Sequence, residues 1–373
     1  MIERIVSAQI KNNLFKGKAI ILLGPRQVGK TTLLKNVFST SNDVLWLNAD
    51  NIEVQELLEV PSATRLKKVI GKNKIVIIDE AQRIKDVGIK LKIIIDEIKD
   101  VQLIVTGSSS FDISNKINEP LTGRKFEYLL FPVSFSEMVN HHQLLNEINL
   151  LKHRLVYGYY PEIVTCNGNE KELLNELANS YLFKDIFIWN KIKKADKLIK
   201  LIRALAFQIG QQVSYHELGQ TVGLDNETVE TYIQLLEKSY VIFRLSSFSR
   251  NLRNELKKSQ KIYFYDNGIR NTLISNFNSM ELRNDVGSLW ENFLVSERKK
   301  QLSYQNIYTN CYFWRTQAQQ EIDYIEERNG KLYAFELKWN KNKNVKFPKS
   351  FLEAYPESET KVISSDNFEE FIS

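Results

Sequence analysis

The chain has 373 residues, 43% of them apolar and 26% charged, the balance of a globular protein of two or three domains. No run approaches the ~20 apolar residues of a membrane-spanning helix, and two distant cysteines, Cys166 and Cys311, suggest neither a disulfide framework nor a Cys-based zinc site. A net charge of +6, with 51 basic residues interspersed among 45 acidic ones, permits nucleic-acid contact without demonstrating it.

The opening MIERIVSAQIKNNLF lacks an apolar signal core and reads as an amphipathic helix. An apolar run, Ala19–Leu23, then enters GPRQVGKT, Gly24 to Thr31, which fits the phosphate-binding pattern G-x-x-x-x-G-K-[ST]. The context suits that chemistry. A strand enters the loop, and a helix-compatible run, Thr31–Val37, leaves it. Gly24 and Gly29 let backbone N–H groups close around a phosphate with no Cβ in the way, and the helix start adds partial positive charge. Pro25, Arg26, Gln27, Val28 and Thr32 complete the candidate nucleotide-binding segment. Lys30 can reach the β- and γ-phosphates, and the Thr31 hydroxyl can ligate Mg²⁺. Arg26 is a further cation near the phosphates, or a stiffener of the loop.

A strand is expected at Leu45–Leu47 and a buried one at Ile75–Ile78, ending in Asp79 and Glu80. A carboxylate at a strand end beside such a loop is the expected Mg²⁺ partner, so Asp79 takes that role; Glu80 is placed to act as general base toward an attacking water. A helix follows at Ile89–Ile98, then a buried strand, Val101–Thr106, running into Gly107 and three serines. Ser108 is the hydroxyl expected near the γ-phosphate. Strands alternating with helical patterns over 18–110 signal an α/β fold with a parallel sheet. ATP chemistry with few cysteines points to the cytoplasm.

Residues 141–210 read mainly as helices. Ser214-Tyr-His-Glu217 is a capping box opening a short helix, Gly223-Leu-Asp225 a turn, and a second helix runs through Lys238. Strands at Val241–Leu245 and Lys261–Tyr265 bracket a basic loop, so the order describes a winged helix. The second helix carries Asp225, Glu227, Glu230 and Glu237, which would face phosphates unfavourably. DNA contact would fall to Arg250, Arg253, Lys257, Lys258 and Lys261; the other reading is a structural or protein-contact module.

In the last third, Asn329-Gly330 marks a tight hairpin between EIDYIEE and LYAFELK. Counting from that turn, Asp323 faces Glu336 and Glu321 faces Lys338, while Ile322, Tyr324, Phe335 and Leu337 take the opposite, apolar side. Opposed carboxylates destabilise a sheet unless neutralised, by a divalent cation or by Lys338. Glu291, in SLWENFLVSERKK, sits on a helix that could bring a third carboxylate. An acid followed by Glu-x-Lys on the next strand, with a helical Glu before them, resembles the PD-(D/E)XK nuclease core. That resemblance implies Asp323 and Glu336 as ligands of Mg²⁺ or Mn²⁺, Lys338 as the catalytic lysine and Glu291 as an accessory acid. The other reading is a salt-bridged sheet face on an inactive relic of that fold.

Taken together, GPRQVGKTT, IIDEAQRI, VTGSSS, LTGRKFEYLLFPVSFSE, YGYYPEIV and the EIDYI…AFELK pair resemble a bacterial and archaeal family of AAA-type P-loop ATPases. Its members join an ATPase domain, a winged helix and a C-terminal domain similar to PD-(D/E)XK nucleases. The resemblance implies domains at 1–140 (ATPase), 141–270 (helical lid and winged helix) and 271–373 (nuclease-like), with ATP and Mg²⁺ as cofactors. It also implies a role for Arg124 as a cation near the γ-phosphate, in cis or across the interface of a homo-oligomer.

Overall fold

The computed structural model describes residues 1–108, 117, 120–179, 195–249, 259–340 and 345–373. The chain divides into two compact units, Met1–Pro132 with Lys238–Tyr240, and Val133–Glu237 with Val241–Ser373. No helix among the described residues is long and apolar enough to cross a membrane.

The first unit is an α/β layer built on five parallel strands: β1 (Ala19–Leu23), β2 (Val44–Asn48), β3 (Ile75–Asp79), β4 (Gln102–Gly107) and β5 (Lys125–Leu129), in the order β2-β3-β4-β1-β5. β1, β3 and β4 are buried along their whole length, as unbroken Ile/Val/Leu runs require. Helices α1 (Ile5–Asn12), α2 (Lys30–Val37), α3 (Ile52–Leu57), α4 (Ala63–Ile70) and α5 (Val87–Glu97) lie between or before the strands. β5, KFEYL, is an edge strand of only half-buried and exposed residues, so it lacks the apolar run that marks the others in the sequence.

The order of strands is what builds the site. β4 lies between β1 and β3, so its C-terminal end falls between the loop that leaves β1 and the acids that end β3.

The second unit begins with helices α6 (Phe135–His142), α7 (Leu144–Tyr157), α8 (Pro161–Thr165), α9 (Glu170–Ala178) and α10 (Ala195–Phe207). A short strand β6 (Gln212–Val213) precedes α11 (Tyr215–Val222) and α12 (Asn226–Lys238). Ser214 caps α11 by accepting from the Glu217 N–H, Gly223 ends it in the left-handed conformation, and Asp225 accepts from the Thr228 N–H. Antiparallel strands β7 (Ile242–Ser247) and β8 (Gln260–Phe264) follow, with β6 paired to β8. Then come α13 (Asn267–Leu273), α14 (Val286–Tyr304), β9 (Asn310–Arg315), the hairpin β10 (Glu321–Arg328) and β11 (Lys331–Leu337), α15 (Lys349–Ala354), β12 (Glu359–Ile363) and α16 (Glu369–Ile372).

All seven strands of this unit share one sheet, β12-β11-β10-β9-β7-β8-β6. Its seam is the parallel pair β7–β9, joined at Ser246 opposite Tyr312 and Ser247 opposite Phe313. The boundary expected at 140/141 falls inside α6, and that at 270/271 falls inside α13. The sheet runs across the second of these.

The hairpin has the register counted from its turn, with Tyr324 opposite Phe335 and Arg328 opposite Lys331. Asn329 and Gly330 both adopt positive φ, as a two-residue turn of this hand requires. One expectation fails. A bulge between Ile322 and Ile325 puts Ile322 in the cluster of Ile325, Leu332, Ala334, Trp314 and Phe351. Tyr324 and Phe335 instead meet Phe371 on α16.

Candidate active site

The loop after β1 is pressed so closely against the end of β5 that a Cβ on Gly24 would lie 2.1 Å from the Leu130 carbonyl oxygen. Its φ of +150° also excludes a side chain there. Gly29 caps α2 in the left-handed region. Pro25 and Val28 are buried, Arg26 is half-buried, and Gln27 and Thr32 are exposed.

Lys30 is 5% exposed, and its ammonium donates to the Gly24 and Pro25 carbonyls at 2.9 and 2.8 Å. The Thr31 hydroxyl donates to Asp79 Oδ2 at 2.7 Å. Thr106, at the end of β4, donates to Asp79 Oδ1 and accepts from the Glu80 N–H at 3.1 Å. Asp79 is therefore held from both sides by hydroxyls, one from α2 and one from β4. Glu80 sits at φ +53°, a left-handed conformation that an L residue adopts at a cost. The Gln82 amide donates to the Glu80 carboxylate and to Ser108 Oγ, the latter at 3.0 Å.

A second group of charges lies in the C-terminal unit. Asp323 accepts from the Leu337 N–H and from Lys338, both at 2.8 Å, and Lys338 also reaches Glu336 at 2.7 Å. Burial, then the neighbouring Asp323, pushes the Glu336 carboxyl up to about 7, against the pull of Lys338. Glu291, on α14, accepts from Lys261 at 3.0 Å and from the Tyr263 hydroxyl at 2.6 Å. Lys261 also binds Glu321 at 2.6 Å, and Arg315 meets Glu321 at 3.2 Å. Although burial opposes its charge, Glu291, Glu321 and Asp323 together raise the Lys261 pKa. Among the described residues no group of three His, Cys, Asp or Glu side chains is set to hold a metal ion. The opposed carboxylates are neutralised by two lysines, one from β8 and one after β11.

Residues 16–139 match the family model of an AAA domain. The first unit holds an ATPase-type P-loop domain. Residues 148–280 and 286–371 match two domains of unknown function, DUF8612 and DUF4143. A Walker-type ATPase of Pyrococcus abyssi has a similar fold, with a TM-score of 0.52 and 13% identity over 74% of this chain and 96% of its own. An uncharacterized protein of Mycobacterium tuberculosis is 24% identical over 341 residues, which cover 90% of this chain and 74% of the relative. An uncharacterized protein of Methanocaldococcus jannaschii is 22% identical over 348 residues, covering 86% and 75%.

Within the P-loop domain Lys30, Thr31, Asp79 and Glu80 lie together at the ends of β1 and β3. The hydroxyl on Asp79 and Glu80 is that of Thr106; Ser108 touches the site through Gln82. Thr106 was legible only as the last residue of a buried strand, and the serines after it drew the assignment.

Arg124 is not at the phosphate loop. Its carbonyl accepts from Ala19 N–H, where β1 begins, whereas the loop follows the other end of β1. Its guanidinium is paired with Asp96 at 2.7 Å. Because β1 and β5 run parallel as neighbours, Arg124 lies at the N-terminal ends of the strands and the phosphate loop at their C-terminal ends, which argues against the role in cis.

Arg4 joins the loop without any mark in the sequence. It precedes α1, is 8% exposed, and donates to the Val28 carbonyl at 2.8 Å and the Phe131 carbonyl at 2.6 Å. It thus ties the phosphate loop to the segment after β5, and a lone Arg before an amphipathic helix gives no sign of that.

Lys261, expected in the basic loop, is enclosed instead. It is 2% exposed and turned onto Glu291 and Glu321, so it is not a surface base for DNA. Arg250, Arg253, Lys257 and Lys258 lie outside the described residues. Glu321 pairs with Lys261 and Arg315 rather than with Lys338.

Proposed function

We propose that this protein binds and hydrolyses Mg·ATP at the P-loop domain, and that the nucleotide state switches a C-terminal unit that recognises a partner. The observation that supports it best is the set Lys30, Thr31, Asp79 and Thr106, in which one carboxylate is shared by two hydroxyls beside a Gly-built phosphate loop. These oxygen donors suit Mg²⁺, which takes few protein ligands and keeps its waters and phosphate oxygens. Held by Thr31 and Asp79, Mg²⁺ would supply the positive charge that offsets the negative charge of the phosphate oxygens.

The residues of the chain then act as follows. Gly24 to Thr32 cradle the phosphates with backbone N–H groups, and Lys30 leaves the carbonyls of Gly24 and Pro25 for the β- and γ-phosphates. Thr31 and Asp79 hold the cation. Glu80 takes the proton of the attacking water, with Gln82 positioning its carboxylate and Thr106 fixing its backbone. The test is phosphate release from ATP with and without Mg²⁺. Lys30→Ala should abolish nucleotide binding and turnover together; turnover at the wild-type rate in that variant would sink the reading.

In the C-terminal unit we read β6, α11, α12, β7 and β8 as a winged helix, and the Asp323, Glu336 and Lys338 group with Glu291 as derived from a nuclease-like core. The two lysines within the acid cluster favour recognition over cutting, because each already supplies the positive charge that a second Mg²⁺ or Mn²⁺ would bring. Plasmid and single-stranded DNA should therefore stay intact with either cation, with or without ATP. Cleavage that disappears in Glu336→Ala would restore the nuclease reading.

A further inference from the structure

Three lysines of the C-terminal unit are wholly or partly withdrawn from solvent, and two of them have carboxylates. Lys261 spans Glu291 and Glu321. Lys300, 1% exposed, meets Glu297 at 2.5 Å and the Val133 carbonyl at 3.1 Å. Lys299 is half-buried and differs from both. Among the described residues no carboxylate lies within ion-pair distance of it, and its ammonium stands 4.9 Å from the centre of the Phe243 ring. Burial pushes its pKa down, while Cys311 and Glu237 act weakly the other way. Glu237 is already engaged: it meets the Arg244 guanidinium at 2.6 Å and accepts from the Arg244 N–H at 3.0 Å.

Lys299 lines a cavity of about 290 Å³. The cavity exists because β7 and β9 pair only at 246–247 with 312–313 and part before that point. Residues 243–246 of β7 and 309–312 form its two sides, with Val295 and Lys299 from α14 and Tyr324 from β10. Tyr324 donates to Cys311 Sγ at 3.0 Å, and burial raises the thiol pKa, so Cys311 stays uncharged. The result is a pocket with aromatic walls and one cation lacking a counter-ion. A charge so placed is costly unless an anion joins it.

We propose that this cleft binds a small organic monocarboxylate, with its carboxylate on Lys299 and its apolar body against Phe243 and Tyr312. A single ammonium matches a single negative charge. Lys299 stands in the C-terminal half of α14, where the helix dipole gives no help to a phosphate dianion.

The probe is benzoate, titrated by saturation-transfer NMR into the full chain saturated with Mg·ADP, so that the nucleotide site is filled. Benzoate should bind. Lys299→Met should weaken it by about tenfold or more, as loss of a charged hydrogen bond does, and Lys299→Arg should retain it. Benzamide, which keeps the body and lacks the charge, should bind at least about tenfold more weakly to the unaltered protein, which decides the matter even if a variant fails to fold. Absent binding of benzoate, benzamide binding as tightly, or unchanged affinity in Lys299→Met would overturn the proposal. Displacement of benzoate by lower concentrations of inorganic phosphate would overturn the choice of a carboxylate.

Discussion

Replacing Glu80 with Gln is expected to leave ATP bound and to lower its turnover by about 10²–10⁴-fold, the range that a general base contributes. The substitution removes only the proton-accepting charge. The Glu80 N–H still donates to Thr106, and Asp79 keeps both its hydroxyl partners, so the Mg²⁺ ligands and the phosphate loop stay in place. Affinity for a fluorescent ATP analogue should change little, while steady-state phosphate release falls to near background. Turnover unchanged in this variant would place the base elsewhere. Affinity lost in parallel with turnover would mean that Glu80 shapes the site rather than acts in it.

The second large effect is one of stability. Lys261→Met keeps the length of the side chain and removes its charge, leaving Glu291 to the Tyr263 hydroxyl and Glu321 to Arg315, while Lys338 stays on Asp323. Breaking a buried pair by removing one partner costs about 3–5 kcal/mol. For a unit of this size that is a fall in Tm of roughly 6–20 °C. The double variant Lys261→Met, Glu291→Gln should recover part of the loss, since residues in one ionic network are not additive. A thermal transition within about 2 °C of wild type would show that the cluster is open to water and that its lysine is dispensable.

What could be read from the chain was what is local. The phosphate loop, the buried strands and the 331–337 register follow from glycines at fixed spacing, unbroken apolar runs and a two-residue turn. Roles that depend on which elements meet in space were harder to see. Arg124 sits within a family-like motif, yet the parallel pairing of β1 and β5 puts it at the far end of the strands from the phosphate loop. Lys261 looked like the last base of a surface loop, yet it is the first residue of its strand to be enclosed, and strand alternation alone does not say which face meets α14. Thr106 was overlooked because a hydroxyl closing an apolar strand resembles a packing residue; its importance comes from β4 lying between β1 and β3. Arg4 acts across 127 positions of chain, beyond any spacing rule.

The seam between β7 and β9 has a practical consequence for dissecting this molecule. Family boundaries invite excision of residues 286–371 as a free-standing piece. Severed there, β9 and β7 would each present a raw edge where they now join, backed by Phe248, Trp314 and Tyr312. Such edges recruit other strands, so an excised fragment is a recipe for self-association. A piece that keeps this seam closed must carry β7 and β8 together with β9 to β12.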